Sequence, residues 1–288
     1  MSVHILILGA GWLSTFLVPL CRERGLAFAA TTRDGRDETL PFVFDPREDM
    51  EEVKLKCEHL PDATTVLITF RITESGGPTN LVRAYLASRK LEIQPSFILL
   101  GSTGIWPGKD PENGFQRYDR HSPYAQQPRA TAEEELLKLS PAVPTTVLNL
   151  SGLWGGSRSP RNWIEKVRTK EALKEKGSLH VIHGLDVSRA ILAVHTNFPK
   201  AVGERWILTD GRVHDWWEFA SGWGHRPPPG EIRRTDDPDP QARWMRELMR
   251  ECNIKALPRD VELLGRALDS REFWETFELN PLHLNPKV

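Results

Sequence analysis

The strongest constraint on how this chain folds lies near its N-terminus, where a short apolar run ends in two closely spaced glycines. Residues 4–8 are apolar enough to form a buried strand, and Gly9 and Gly11 follow directly. A helical pattern extends over residues 12–24, and residues 27–32 have the composition of a second strand. Strand, tight turn, helix and strand within about thirty residues is the setting that a dinucleotide-binding turn requires.

The two glycines of this turn have different tasks. Gly9 permits the tight turn, whereas the missing Cβ of Gly11 lets the backbone approach a pyrophosphate. Trp12 and Leu13 open the helix and are predicted to contact the same ligand. Ser14 replaces the third glycine of such a motif, which is a modest departure because serine is small. A strand-to-helix turn without a ligand is the competing interpretation, but the position of the motif favours dinucleotide binding.

The end of the second strand bears on which dinucleotide is bound. Thr32 and Arg33 lie where an NAD site places an acidic residue. A carboxylate would repel a 2′-phosphate, whereas a guanidinium can bind it through two N–H groups. Asp34 follows, and it would weaken this preference if it turned inward; a solvated Arg33 is the other interpretation. We predict NADP(H) rather than NAD(H).

Composition and charge exclude several classes of protein. The chain has 288 residues and a formal net charge of −1, and its basic residues are scattered, so no nucleic-acid-binding surface is indicated. It contains neither an apolar run of transmembrane length nor the pattern of a signal peptide. Three well-separated cysteines predict no disulfide framework and no metal site. We expect a cytoplasmic protein with a small-molecule substrate and without nucleic-acid or membrane partners, and a homodimer is compatible with these features.

Strands and helices alternate over the first half of the chain. This rhythm predicts an α/β fold with a doubly wound parallel sheet and right-handed crossovers. Because ligands of such sheets bind beyond the carboxyl ends of the strands, Thr69, Phe70 and Gly101 are expected to line the cofactor crevice. The predicted strands are residues 4–8, 27–32, 40–45, 64–70, 96–100 and 145–150, and the predicted helices are 12–24, 45–58, 79–90 and 129–139.

The regular alternation ends near residue 155. We predict a nucleotide-binding core over residues 1–155 and a smaller, mostly helical substrate-binding region over residues 156–288, with residues 178–210 contributing back to the core. The segments expected beyond them are a proline-rich link at 227–229 and helices at 241–252 and 259–274.

Four stretches give the chain a resemblance to a known family. They are residues 9–14, 101–106, 148–155 and 180–190, and they span about two-thirds of the chain in the family's order. In these stretches the chain resembles the extended and atypical short-chain dehydrogenase/reductases, the NAD(P)-dependent epimerase/dehydratase group. The resemblance implies a Rossmann fold and a catalytic set of serine, tyrosine and lysine.

This implied catalytic set is incomplete in the sequence. Ser102 stands at the family's serine/threonine position, where a hydroxyl would polarise a carbonyl. Tyr124 is the candidate acid–base group, but Pro128 stands four residues on, where the family has lysine. Arg129 is adjacent and is the candidate for the missing positive charge. Two interpretations stay open: a displaced pair of Tyr124 and Arg129, or a lost pair in a site that works differently or only binds nucleotide.

Three further residues are candidates for contact with a substrate. Trp106 and Trp154 follow the carboxyl ends of two strands and are predicted to wall the crevice around an apolar or aromatic substrate, with core packing as the alternative. Arg158 is a candidate for binding an anionic substrate group or the cofactor, with a solvated loop position as the alternative.

Together these features predict an NADP(H)-dependent oxidoreductase that transfers hydride to or from a small organic carbonyl, imine or alcohol. Two alternatives remain. The first is an epimerase, dehydratase or cyclase on the same fold. The second is a regulatory protein that binds NADP(H) without catalysis; the missing lysine favours this alternative, and the predicted aromatic crevice favours an enzyme.

Overall fold

Seven parallel strands form the central sheet of the structure, which is a computed structural model that describes residues 2–89, 94–108, 114–223, 240–284 and 286. The strands of the described residues are β1 Ser2–Leu8, β2 Phe28–Thr32, β3 Leu40–Pro41, β4 Asp62–Ile68, β5 Ser96–Ser102, β6 Gln116–Tyr118, β7 Thr145–Leu150, β8 Gly152–Trp154, β9 Ser178–Leu179, β10 Val181–His183, β11 Arg205–Leu208, β12 His214–Asp215 and β13 Arg266–Leu268. The α-helices are α1 Ser14–Glu23, α2 Met50–Cys57, α3 Gly77–Ala87, α4 Pro128–Leu137, α5 Arg161–Ile164, α6 Lys170–Lys174, α7 Gly184–Thr196, α8 Trp216–Trp223, α9 Pro240–Glu251 and α10 Arg271–Thr276.

The strand order of the central sheet creates a crevice beside β1. The order is β11-β7-β5-β4-β1-β2-β3, and every pairing is parallel. The chain adds β2 and β3 on one side of β1 and then returns to add β4 on the other side. Such a reversal separates the loops at the carboxyl ends of β1 and β4 and leaves room for a ligand between them. The predicted doubly wound α/β fold is confirmed.

Both faces of the sheet are covered, which explains why its strands read as continuous apolar runs. Successive side chains of β1 point to opposite faces. Ile5 and Ile7 belong to one buried layer together with Leu17 of α1 and Ile191 of α7. The intervening side chains of β1 belong to the other layer, which α2 and α3 cover. The C-terminal part of the chain therefore returns to the sheet, with α7 against one face and β11 at its edge.

Two element boundaries in the N-terminal half differ from the predicted ones more than the others do. Helix α2 begins at Met50 rather than near residue 45, because Asp49 accepts a hydrogen bond from the backbone N–H of Glu52 and closes a capping box. The third strand is confined to Leu40–Pro41 at the sheet edge, where proline costs no ladder hydrogen bond.

The predicted helix over residues 259–274 is wrong. A single turn at Val261–Leu264 is followed by Gly265 with a φ of 88°, then by β13 and α10. The positive φ of Gly265 breaks the helical path, and β13 instead pairs in parallel with β6. That pairing is non-local, so helical periodicity could not reveal it. The predicted link at 227–229 lies outside the described residues.

Three small two-stranded sheets accompany the helices of the C-terminal region: β6 with β13, β8 with β10, and β9 with β12. The β8–β10 and β9–β12 pairs join segments of this region, and the β6–β13 pair joins it to the segment after β5.

In the portion of the chain that the structure describes, no helix has both the length and the apolar character that a bilayer crossing demands.

His180 lies directly before β10, and its hydrogen bond to Leu268 of β13 links two of these small sheets. It also makes the free energy of unfolding depend on pH. It is 5% exposed, and its Nε2 accepts the backbone N–H of Leu268 at 3.0 Å. Burial lowers the pKa of His180 to about 3, with smaller contributions from Arg266 and His214. The unfolded chain binds a proton at this residue below about pH 6.5. Stability is therefore lost as the pH falls below that value.

We predict that His180 costs the protein about 1.4 kcal/mol of unfolding free energy per pH unit of acidification below about pH 6. Urea unfolding at several pH values between about 7 and about 5 measures this slope. The matched variant is His180→Gln, whose amide oxygen can accept the same hydrogen bond without titrating. The unfolding free energy of this variant should change less steeply with pH than that of the wild type. Equal slopes would show that folding does not lower the pKa of His180.

Candidate active site

The glycine turn after β1 is clamped between the ends of two neighbouring strands. The N–H of Gly9 donates to the Thr31 hydroxyl at 3.0 Å, and the N–H of Ala10 donates to the Thr31 carbonyl at 2.6 Å. From the other side, the Thr69 hydroxyl donates to the carbonyl of Gly9 at 2.5 Å. Gly9 has a φ of 95°, and a Cβ there would lie 2.7 Å from Thr69 Oγ1. Glycine at this position is therefore a requirement of the fold.

Gly11 is different, because nothing in the fold requires a glycine there. A Cβ built on Gly11 meets no atom of the described residues within 4 Å, and the φ of Gly11 lies outside the left-handed region. The open space in front of it is the groove between the loops that follow β1 and β4. Trp12 and Leu13 line the same groove at the start of α1. A missing Cβ that leaves only open space is what close approach of a ligand to the backbone requires.

One end of the groove is a cavity of about 640 Å³ between the loops after β2, β3 and β4. Its walls include Phe70 and Phe44, whose rings stack with centroids 5.9 Å apart. Together the two rings give the cavity an apolar wall. An adenine ring could lie against such a wall.

Charged side chains border this cavity where β2 ends. The hydroxyl of Thr32 donates to the carboxylate of Asp34 at 3.1 Å, and Arg36 lies 3.4 Å from the same carboxylate. Asp34 therefore has two local partners. Arg33 also lines the cavity, and its guanidinium makes no hydrogen bond or ion pair with any residue described. The arrangement leaves a free guanidinium for an anionic group.

The groove continues on the other side of Gly11 into a second cavity of about 680 Å³. Gly9, Gly11, Thr69 and Arg71 line both cavities, so the two form one groove across the carboxyl ends of the strands. The walls of the second cavity come from the ends of β5 and β7 and from residues 157–166. Of the described residues that line it, none is Asp, Glu, His or Tyr, whereas four are cationic: Arg71, Arg129, Arg158 and Lys166.

Ser102, the last residue of β5, lines the second cavity, which we call the Ser102 cavity. Its Oγ accepts the backbone N–H of Gly104 at 3.1 Å, which orients the oxygen and leaves the hydroxyl proton available for a ligand. Ser151 lines the cavity from the neighbouring strand end; it is 7% exposed, and its Oγ has no hydrogen-bond partner among the described residues. Two hydroxyls therefore face this end of the groove.

A buried polar network supports the floor of the second cavity. Glu133 accepts a hydrogen bond from Asn149 Nδ2 at 2.8 Å and pairs with Arg205. Burial raises the pKa of Glu133, although Arg205 and Asn149 oppose this shift. Gly101 lies against the network, since a Cβ there would lie 2.4 Å from Asn149 Nδ2 and 2.5 Å from Glu133 Oε1. Gly101 lines the groove as predicted, and the network gives it a structural role as well.

The structure does not bring Tyr124 to the cavity that Arg129 lines. The Tyr124 hydroxyl donates to Glu134 Oε1 at 2.6 Å, and its ring packs 4.6 Å from the guanidinium of Arg205. Burial and the bond to Glu134 raise the pKa of Tyr124. An acid–base tyrosine needs the opposite shift. Pro128 begins α4 and places Arg129 in its first turn, so the two members of the predicted pair point into different environments.

The predicted tryptophan walls are also elsewhere. Trp106 is 1% exposed and donates from its Nε1 to the carbonyl of Ser122 at 3.2 Å. Trp154 is 9% exposed and packs edge-on against His183, with ring centroids 4.6 Å apart. Neither lines the Ser102 cavity. Core packing, the alternative interpretation, describes their surroundings.

Other aromatic residues occupy the walls of this cavity. Trp12 lines it and donates from its Nε1 to the Gly155 carbonyl at 2.9 Å, and Trp163 lines it from α5. Arg158 lies 4.4 Å above the Trp12 ring and lines the cavity, and its role in binding an anion stays a prediction. Sequence reasoning missed Trp163, because a helix of four residues carries too little periodicity to show which side faces a groove.

Arg71, Ser151 and Lys166 were missed as well. The first two had a usable signal, since each follows the carboxyl end of a parallel strand, where ligand contacts concentrate. Lys166 had none. It lies in the segment after α5, which returns to the groove only through tertiary packing.

Comparison with known proteins shows similarity of fold. No protein-family model matches the sequence, and no curated protein sequence matches it. A yeast methylglyoxal/isovaleraldehyde reductase complexed with NADPH has a TM-score of 0.57 and 17% identity over 99% of this chain and 94% of that one. A dTDP-glucose 4,6-dehydratase from Bacillus anthracis in complex with NAD has a TM-score of 0.61 and 14% identity over 98% and 92%. A UDP-N-acetylglucosamine 4-epimerase from Bacillus cereus has a TM-score of 0.61 and 11% identity over 98% and 94%.

At these identities the comparisons establish the fold and nothing finer. The chain has the Rossmann fold that this epimerase, this dehydratase and this reductase share, which confirms the resemblance at the level of fold. Because three different reactions share this architecture, the reaction has to be argued from the site itself.

We predict that Gly101→Ala lowers the free energy of unfolding by about 1–3 kcal/mol, because the added methyl overlaps the buried Glu133 and Asn149 side chains. Gly108→Ala is the matched control, since a Cβ there meets no atom within 4 Å in the part of the chain that the structure describes. It should change stability by less than about 0.5 kcal/mol. Urea unfolding measures both, and equal stability of the two variants would show that the network yields without cost.

Proposed function

We propose that the chain is an NADP(H)-dependent oxidoreductase that transfers hydride between the nicotinamide and a small organic carbonyl, imine or alcohol. The observation that carries the proposal is Gly11, which opens onto the groove without any structural need for glycine. The groove crosses the point where strand order reverses, as dinucleotide sites do in this architecture. The reductase complexed with NADPH has the same fold, which supports the choice of cofactor class.

The residues of the groove fit the parts of NADP(H). The stacked rings of Phe44 and Phe70 suit the adenine, and the free guanidinium of Arg33 suits the 2′-phosphate. Arg36 also lines this cavity. Its ion pair with Asp34 at 3.4 Å offsets part of the negative charge of the Asp34 carboxylate. The backbone at Gly11 and the first turn of α1 suit the pyrophosphate.

The chemistry takes place at the Ser102 end of the groove in this proposal. When bound, the nicotinamide supplies or accepts the hydride. Ser102 is oriented by its bond from Gly104, so its hydroxyl can donate to a carbonyl oxygen and polarise it. Arg129 lines the same cavity and stabilises the negative charge that develops on that oxygen during reduction. Tyr124 has no part in this scheme, since its hydroxyl is bonded to Glu134.

A regulatory protein that binds NADP(H) without catalysis is the second candidate. It is favoured by a specific observation: the described walls of the Ser102 cavity contain no tyrosine, histidine or carboxylate to exchange a proton. In the oxidoreductase scheme, water protonates the alkoxide that hydride transfer forms, so the reaction does not need such a group. Turnover therefore separates the two candidates.

Nucleotide titration tests the cofactor half of the proposal. Trp12 lines the groove, so bound NADPH should quench its fluorescence. Losing a charge-assisted bond to phosphate should make Arg33→Ala bind NADPH about tenfold to a hundredfold more weakly and leave NADH binding unchanged. Gly11→Ala should weaken the binding of both nucleotides, while the thermal unfolding midpoint of the variant stays that of the wild type. Arg83→Ala, an exposed position on α3, is the control. If neither nucleotide binds the wild-type protein, the cofactor assignment fails.

Oxidation of NADPH by a panel of aldehydes, ketones and imines tests catalysis. Ser102→Ala should lower kcat about 10²-fold, because the carbonyl loses its polarising donor, while the affinity for NADPH is unchanged. Nucleotide binding without turnover of any compound in the panel would favour the regulatory protein. Isomerisation of a compound without net consumption of NADPH would instead indicate an epimerase or dehydratase.

A further inference from the structure

The Ser102 cavity carries more positive charge than the pyrophosphate of a dinucleotide can neutralise. Four cationic side chains line it, and the described wall residues include no carboxylate. The pyrophosphate of a dinucleotide carries two negative charges and would lie beside Gly11, where Arg158 sits over the Trp12 ring. Since the 2′-phosphate would lie in the other cavity, about two positive charges remain without a counterion once the cofactor is bound.

Arg129 is the most confined of these cations. Its side chain is half-buried, and it forms no ion pair or hydrogen bond with another described residue. Glu133 follows one helical turn later but pairs with Arg205 instead. Burial lowers the pKa of Arg129, the charge of Arg71 lowers it further, and Glu133 opposes both. A half-buried guanidinium next to a second arginine needs an anion to offset its desolvation.

Ser151 gives an independent indication of a ligand at the same place. Its Oγ is buried and unpartnered in the described structure, although Ser151 lines the cavity. Ser102 lies opposite Leu150 in the register of β5 and β7, so Ser151 is beside it at the adjoining strand end. Helix α4 contacts both strands and brings Arg129 to this edge. An oxygen acceptor held by Arg129 would also satisfy the Ser151 hydroxyl.

We propose that the substrate carries an anionic oxygen group, a carboxylate or a phosphate, and that Arg129, Arg71 and Ser151 bind it beside Ser102. The inference rests on the proposed function, because it places this group at the reacting end of the nucleotide groove. The two arginines can bond the oxygens through paired N–H groups, and Ser151 donates one further hydrogen bond. This positions the neighbouring carbonyl toward the Ser102 hydroxyl. Neutral carbonyl compounds of the same size lack that anchor.

Ternary binding to the NADP⁺-saturated protein tests the proposal. Pyruvate is compared with methyl pyruvate, and glycerone phosphate with glycerone, so that each anion has a neutral partner of similar skeleton. At least one anion should bind about tenfold or more tightly than its neutral partner, and the pair that shows it distinguishes carboxylate from phosphate. Calorimetric titration at low ionic strength limits screening of the charges.

Variants assign the preference to this site. Arg129→Met should abolish the preference for the anion, and Arg129→Lys should keep part of it, because lysine retains the charge without the paired N–H groups. Ser151→Ala should weaken the binding of the anion severalfold. Arg83→Met, on the exposed side of α3, should bind like the wild type. An unchanged preference in Arg129→Met would overturn the assignment even if anions bind elsewhere.

The same samples separate this inference from the proposed function. If NADP⁺ binds and no anion exceeds its neutral partner, the anion site is wrong and the cofactor assignment stands. If NADP⁺ fails to bind the wild-type protein, both are wrong. Normal NADP⁺ affinity of Arg129→Met and Arg129→Lys shows that the variants fold and that a lost anion preference reflects the site.

Discussion

The hydrogen bonds that hold the glycine turn between β2 and β4 are the interaction on which the groove depends. Thr31 accepts the N–H of Gly9 from one neighbouring strand, and Thr69 donates to the Gly9 carbonyl from the other. A backbone fixed from both sides in a left-handed conformation cannot fold back over the strand ends. The first turn of α1 therefore faces open space, and its N–H groups are directed toward whatever occupies the groove.

A second constraint comes from the buried charges behind β5. Glu133, Arg205 and Asn149 pair with one another in the interior through Glu133 Oε2, and removing one charged partner there would cost about 3–5 kcal/mol. The network excludes a side chain at position 101 and pairs Glu133 with Arg205, so Arg129 projects into the cavity without a partner. The pairing of these buried charges thus leaves a cationic side chain facing the cavity.

The same architecture serves an NADPH-complexed reductase, an NAD-complexed dehydratase and an epimerase, so the fold alone does not select a reaction. The distinctive features here are local. Tyr124 lies outside the groove, the walls near Ser102 are cationic, and Ser102 and Ser151 line the groove at the ends of β5 and β7. A site of this composition is better suited to binding an anion and polarising a carbonyl than to proton exchange through tyrosine.

The sequence by itself determined the order of strands and helices through most of the chain and the placement of Gly9, Gly11, Arg33 and Ser102 on the groove. These features depend on local periodicity and on the rule that the carboxyl ends of parallel strands lie at one edge of the sheet. Both can be applied to a single amino-acid sequence. Only the tertiary structure decided which groups meet. Glu134 binds the Tyr124 hydroxyl, Trp106 and Trp154 are buried, β13 pairs with β6, and Arg71 joins Arg129. Periodicity indicates which face of an element is buried, but it does not contain the distances between segments remote in sequence, and those distances set the partners of each charge and hydroxyl.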